Sequence, residues 1–216
     1  MDGKVKVSLG IIKRALDNYP KVAVACSYGK DSIVLVDLCR RIDPRIQVFS
    51  VMTRFKPAET VAFKEAVDYL WDLNVKTYRN DEPISENLHR TDPNLCCELL
   101  KVQPTRQAIE ELKLNAWIAG LRKDEGKTRR NYDYFETYDC GLVKVNPILD
   151  WSEADVWRYT AVRGLPVNPL YEAGYRSLGC ACCSQPNTVE ERGGRWVGTG
   201  KVGGECGIHS VMYKRS

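Results

Sequence analysis

The chain carries 216 residues, 44% of them hydrophobic, with a formal net charge of +4, nine cysteines and two histidines. That length suits one domain whose core needs no disulfide staples, and the mild charge does not by itself specify nucleic acid. The opening MDGKVKVSLGIIKRAL lacks an apolar leader core and no run of about 18 apolar residues occurs, so a cytoplasmic protein with no membrane partner is expected.

Residues 8–19 read as an amphipathic helix with Leu9, Ile12 and Leu16 on one face. Residues 21–26 form a short apolar strand, followed by a loop and a helix carrying Ile33, Leu35, Val36 and Leu38. A second strand is expected over 46–52, a helix over 57–73 opened by Pro57, and a third strand over 75–78. Helical segments follow at 94–101 and 104–113, split by Pro104, then a fourth strand at 115–120. A short strand at 143–145 and a helix at 152–163 complete the regular pattern. Strands alternating with helices imply an α/β fold with a mostly parallel sheet covered by helices on both faces. Beyond about residue 164 Gly, Pro and Cys dominate and periodicity fades.

The loop Ser27-Tyr28-Gly29-Lys30-Asp31-Ser32 joins a buried strand to a helix. There backbone N–H groups and the helix dipole favour an anion, and open α/β sheets bind their ligands. Gly29 permits close backbone approach, Ser27 and Ser32 offer hydroxyls, and Lys30 offers a point charge. The Walker A spacing is absent. An ordinary strand-to-helix turn is the plain alternative, and the position directly after the first apolar strand favours the ligand loop. Arg122, Lys123, Lys127, Arg129 and Arg130 crowd a second loop, which reads as a site for a compact anion or as a solvated basic surface.

Cysteine spacing is the strongest chemical signal. Cys96-Cys97 are adjacent, Cys180, Cys182 and Cys183 fall within four residues, and Cys206 lies in Glu-Cys-Gly-Ile-His near the C-terminus. Zinc sites generally use two spaced Cys-x₂₋₄-Cys knuckles. Tandem thiolates on neighbouring helical positions suit a larger cube, so an iron–sulfur cluster is the better match. The Cys-x-x-Cys spacing favours Cys180 and Cys183 as the outer pair, with Cys182 facing away. Cys26, Cys39 and Cys140 read as core or loop cysteines.

The first loop resembles the SGGKDS loop of the PP-loop nucleotide-binding superfamily, with Tyr28 in place of one glycine. Residues 90–97 with Lys101-Val-Gln-Pro104 resemble the segment before the cluster in assimilatory adenylyl-sulfate and phosphoadenylyl-sulfate reductases. So do Gly120-Leu-Arg-Lys-Asp124, residues 146–152, Asp155-Val-Trp157, Pro166-Val-Asn-Pro169, residues 174–180, Glu191-Arg-Gly-Gly-Arg-Trp196 and Glu205-Cys-Gly-Ile-His209. The resemblance spans nearly the whole chain. It implies an adenine nucleotide alpha hydrolase-like domain over 1–216, with a nucleotide-binding core at about 20–165 and a cluster-and-tail segment at about 166–216.

By that resemblance Cys96, Cys97, Cys180 and Cys183 hold a [4Fe–4S] cluster, and Cys206 attacks the sulfur of an adenine nucleotide phosphosulfate to give an S-sulfocysteine. Thioredoxin or a glutaredoxin-like dithiol then releases sulfite. Lys101, Arg122, Arg192 and Arg195 can supply positive charge to the phosphosulfate and favour the Cys206 thiolate. His209 is either an assistant to Cys206 or a solvated tail residue. Gly203 and Gly204 would let the tail close over substrate. A homo-oligomer is left open, and nucleic acid is not expected as a partner.

Two segments depart from the resemblance. Lys30 is typical of PP-loop enzymes that cleave ATP to AMP and pyrophosphate, and residues 51–57 replace an Asp-Thr-Gly-like turn. The nucleotide is therefore open between adenylyl sulfate, its 3′-phospho form and ATP, with Arg54 and Lys56 as candidates for a 3′-phosphate. The alternative function is an iron–sulfur ATP pyrophosphatase that transfers sulfur to a nucleic acid.

Overall fold

The alternation of side chains along each strand separates two apolar layers. In β1 (Val22–Ala25), Val24 faces one cluster and Ala23 the other. In β2 (Gln47–Val51), Val48 and Phe49 divide the same way, as do Ala116 and Trp117 in β4 (Ala116–Ile118). This period of two puts apolar groups on both faces, the signature of a sheet covered on both sides. The first layer is closed by α1 (Asp2–Asn18), α2 (Lys30–Arg40), α3 (Ala58–Trp71) and α7 (Glu153–Arg163), through Ile12, Leu35, Val67 and Val156. The second is closed by α6 (Gln103–Glu111), through Ala108 and Ile109, and by Tyr132 and Tyr138. Each large apolar side chain so buried contributes about 1.5–3 kcal/mol.

The structure is a computed structural model and describes residues 1–126, 129–187, 189–201 and 208. Its sheet runs β3-β2-β1-β4-β6-β5, with β3 at Val75–Tyr78, β5 at Phe135–Thr137 and β6 at Val143–Val145. All neighbouring pairs are parallel except β5 against β6. The expected α/β class and mostly parallel sheet are observed. The antiparallel edge strand β5 was not expected, because Phe135-Glu-Thr137 lacks the flanking β-branched apolar residues that mark the equally short Val143-Lys-Val145. No helix among the described residues is long and apolar enough to cross a membrane.

Local signals fix the helix ends. Ser152 and Asp155 form a reciprocal capping box at the start of α7, and Gly164 ends it in the left-handed conformation at φ 60°. Pro57 precedes α3 as its N-cap and does not occupy the first helical position. Pro104 does not split the chain as expected. After α4 (Leu88–Thr91), the run α5 (Pro93–Cys97), a π-helical turn (Glu98–Val102) and α6 is continuous. The wider turn shifts the hydrogen-bond ladder ahead of Pro104, so its missing N–H is accommodated, and Leu99 O accepts instead from Asn80 Nδ2 at 3.1 Å.

Candidate active site

Strand order reverses between β1 and β4, which opens a crevice at their carboxyl ends. A cavity of about 220 Å³ occupies it. Ala25, Phe49, Val51, Trp117, Ala119 and Leu121 give it an apolar floor, while Ser27, Gly29, Lys30, Asp31 and Ser32 form one rim. Gly120 is close-packed, since a Cβ there would lie 3.4 Å from the Asp31 backbone.

The rim loop is held by its own hydroxyls. Ser32 Oγ donates to Gly29 O at 2.9 Å and accepts from Ser27 N at 3.2 Å. Tyr28 has φ 62°, the left-handed region where a glycine costs nothing. Its ring is fully buried and its hydroxyl donates to Asp68 at 2.5 Å, which holds the strained backbone in place. Tyr171 accepts from Lys30 N at 2.8 Å and braces the start of α2.

Lys30, on that rim, and Arg122, behind it, share a buried charge cluster. Lys30 Nζ donates to Glu191 at 2.6 Å and to Arg176 O at 2.9 Å. Arg122, fully buried, donates to Asp31 at 2.5 Å and also to Glu191. Burial opposes the Lys30 charge, but Asp31, Tyr171 and Glu191 outweigh it and hold its pKa above the usual lysine range. Arg122 is raised in the same way by Asp31, Glu125 and Glu191 against its burial. Burial raises Glu191, with Lys30 and Arg122 opposing, whereas for Asp31 the two cations win over burial and its pKa is lowered. Much of the basic loop is therefore spent internally. Arg129 pairs with Glu125, Lys123 Nζ meets Asp150 at 3.0 Å, and Lys127 falls outside the described residues. Arg122 itself does not line the cavity.

The opposite rim is cationic. Lys56, Lys101, Arg192 and Arg195 all line the cavity. Arg195 is aimed by Ser177 Oγ at 3.3 Å and Leu178 O at 2.8 Å, and its guanidinium lies 4.9 Å from the Trp196 ring centre. Arg192 stacks on the same ring at 5.0 Å. Burial pushes the Lys56 ammonium down to about 8, the Cys180 thiol opposing and Lys101 and Arg195 adding to the shift. Arg54 turns away from the cavity and donates to Asn80 O and Glu82 O.

A second pocket adjoins this rim and shares Lys101 with it. Cys96 and Cys97 from the end of α5 meet Cys180 and Cys183 there, walled by His89, Pro93, Leu100 and Trp196. All four thiols are buried and none is in a disulfide. Thr53 Oγ1 lies 3.2 Å from Cys180 Sγ, and Lys201 Nζ lies 4.0 Å from Cys97 Sγ. Burial, with Cys180 and Cys183 adding, pushes the Cys96 thiol up to about 11. A tetrahedral zinc with Zn–S bonds of about 2.3 Å needs its sulfurs about 3.8 Å apart. Among the described residues no three of these sulfurs lie within 4.8 Å of one another; only Asp31, Glu125 and Glu191 form so tight a group. An all-thiol, wider donor set fits an iron–sulfur cluster.

Cys182 does not face away. It is half-buried, lines the same pocket, and its Sγ lies 3.6 Å from Cys183 Sγ. It lies in the single 3₁₀ turn Ala181–Cys183 and shares the pocket with its neighbour Cys183, as the adjacent Cys96 and Cys97 of α5 do. Cys206 and His209 fall outside the described residues, as do Gly203 and Gly204. Sequence reasoning quoted Glu191 and Trp196 within a motif without giving them roles. The structure makes one the partner of Lys30 and the other the shared platform of two arginines.

A crevice at the switch point of a mostly parallel α/β sheet thus adjoins, across a cationic rim, a thiol-rich pocket. The chain belongs to the phosphoadenosine phosphosulfate reductase domain family, whose model matches residues 21–186; these are oxidoreductases acting on sulfur groups. It is 35% identical over 221 residues to an adenosine 5′-phosphosulfate reductase of Anoxybacillus flavithermus, covering 97% of this chain and 92% of the relative. Its fold is similar to the phosphoadenylyl-sulfate reductase of Candida auris in a phosphate complex, with TM-score 0.71, 22% identity, and 81% and 88% of the two chains covered. A U34-tRNA thiolase of Methanococcus maripaludis carrying its [4Fe–4S] cluster is similar at TM-score 0.53 and 17% identity, with 77% and 66% covered.

Proposed function

We propose that the protein reduces adenylyl sulfate, or its 3′-phospho form, to sulfite and the corresponding nucleotide. The observation that carries this reading is the adjacency of the cavity and the thiol pocket, joined at Lys101 and rimmed by Arg192 and Arg195. The apolar floor accepts the adenine and the cationic rim accepts the phosphosulfate. Arg forks match tetrahedral oxyanions in two-point contacts, and fixed charge acts strongly where water is excluded.

The nucleophile in this reading is the Cys206 thiolate. Its sulfur attacks the sulfur of the phosphosulfate; the new S–S bond forms as the bridging S–O bond breaks, and that bond's electrons leave on the phosphate oxygen. The leaving group needs little protonation, so Lys101, Arg192 and Arg195 act by neutralising its charge. A thioredoxin-like dithiol then attacks Cys206 Sγ, sulfite departs with the S–S electron pair, and the second thiol of the reductant frees Cys206 as a disulfide forms. Ile208, two positions after Cys206 in sequence, lines the cavity, which supports the tail as the source of the nucleophile. His209 is assigned the assisting role beside it.

Cys96, Cys97, Cys180 and Cys183 would hold the [4Fe–4S] cluster, which supplies fixed charge beside the substrate when bound. Lys101 lines both pockets and would stand between the cluster ligands and the phosphosulfate. The test is sulfite release from adenylyl sulfate with a dithiol, compared with Cys206→Ser. Sulfite from the parent protein and none from the variant is expected, and sulfite from both would overturn the assignment.

The second reading, an iron–sulfur ATP pyrophosphatase moving sulfur to nucleic acid, rests on Lys30 and the basic loop at 122–130. The Lys30 ammonium is engaged by Glu191 behind the rim, which favours a scaffold role over a phosphate contact. Pyrophosphate release from ATP is the outcome that would restore it.

A further inference from the structure

Cys182 sits at a turn whose backbone is fixed by its neighbours. Ala181 N–H donates to Phe55 O at 2.7 Å, Cys183 N–H to Cys180 O at 3.0 Å, and Trp196 N–H to Cys183 O at 2.7 Å. Ser184 is bridged to Arg195 in antiparallel fashion. The main freedom left at position 182 is rotation of its side chain. Its sulfur lies 3.6 Å from that of Cys183, and both face one pocket.

That separation is a contact distance between sulfurs. An iron corner held by Cys183 is therefore reached from Cys182 by side-chain rotation alone, with the pinned backbone unmoved. Both donors are soft thiolates, so the exchange changes no ligand chemistry. It also changes no charge, because the thiol that binds gives up a proton and the one released takes one back. Among the described residues the other three positions have no such spare. Cys26 contacts Ser32 in the rim loop, Cys39 is buried within the layer around α2, and Cys140 is exposed.

Resting on the cluster reading above, we propose that the fourth corner of the ligand set is shared: Cys96, Cys97 and Cys180 are obligatory, and either Cys183 or Cys182 completes them. The chain would thus keep its cluster when the fourth ligand is lost, at one corner and no other.

The test is iron and acid-labile sulfide per chain, with the visible absorption band, in anaerobically purified Cys182→Ala, Cys183→Ala, the double variant and Cys180→Ala. Far-UV circular dichroism checks each fold, and Cys183→Ser replaces Cys183→Ala if the latter is not native. Both single variants at 182 and 183 should hold wild-type iron, while the double variant and Cys180→Ala lose it. Iron loss in Cys183→Ala or Cys183→Ser equal to that in Cys180→Ala, with the parent loaded, would overturn the proposal. So would iron loss in Cys182→Ala alone. An iron-free parent protein would instead refute the cluster reading itself.

Discussion

The Lys30 ammonium donates to the Glu191 carboxylate at 2.6 Å across 161 positions of sequence. This pair ties the rim loop after β1 to the segment that carries Arg192, Arg195 and Trp196. Glu191 also accepts from Arg122, so a single carboxylate bridges two buried cations, with Asp31 as the second anion of the cluster.

Removing that carboxylate should cost more than removing either cation. Glu191→Ala leaves Lys30 and Arg122 buried with Asp31 as their shared anion, and breaking a buried pair from one side costs about 3–5 kcal/mol. Lys30→Met leaves Glu191 still paired with Arg122, so a smaller loss is expected. Urea unfolding of the two variants checks the order, and a larger loss for Lys30→Met would contradict it.

Affinity for an anionic nucleotide should fall as pH rises past 8. Lys56 lines the cavity and burial lowers its pKa from 10.5 to about 8. Above that value the free protein presents a neutral amine, so binding a phosphosulfate must draw in a proton. The sign for folding is the opposite: between about 8 and 10.5 the unfolded chain holds more protons, and stability of the free protein rises with pH. Calorimetric titration with adenylyl sulfate from pH 7 to 9.5 tests the binding arm. Lys56→Met should flatten the profile, and an unchanged slope in that variant would place the titration elsewhere.

Tyr28 should resist replacement by glycine even though its backbone favours glycine. Relieving a left-handed residue returns about 1–2 kcal/mol, while deleting a buried aromatic ring costs about 3–5 kcal/mol. Tyr28→Gly is expected to destabilise by roughly 2 kcal/mol, the difference of those two terms. Thermal denaturation decides, and a stabilised variant would mean that the ring and its bond to Asp68 contribute little.

Arg195→Ala should lower kcat/KM for adenylyl sulfate by about 10²-fold or more, as expected for a preorganised charge aimed at a developing anion. Arg195→Lys should recover only part of it, because a point charge cannot reproduce the fork. Steady-state sulfite release gives both numbers. Full activity in Arg195→Ala would remove this residue from the substrate rim.

The inner strands were legible as short apolar runs, as in Val22–Ala25, and the long helices as segments of repeating apolar spacing, as in Asp2–Asn18. The edge strand Phe135–Thr137, with Glu136 at its centre, carries no such apolar run, and the π-turn before Pro104 depends on hydrogen-bond geometry that spacing does not encode. The convergence of Cys96, Cys97, Cys180 and Cys183 followed from spacing and resemblance, but the inward turn of Cys182 did not. Lys30 shows the same limit from the other side. Its place in the loop was plain, whereas its partner Glu191 comes from a segment without regular structure and is found only once the chain is folded.

The intact mass of anaerobically purified protein after incubation with adenylyl sulfate, without reductant, tests the central claim most directly. One added SO₃ group, mapping to Cys206 and discharged as sulfite by a dithiol, is the predicted result. An unmodified protein that nonetheless turns adenylyl sulfate into sulfite when the dithiol is added would contradict it.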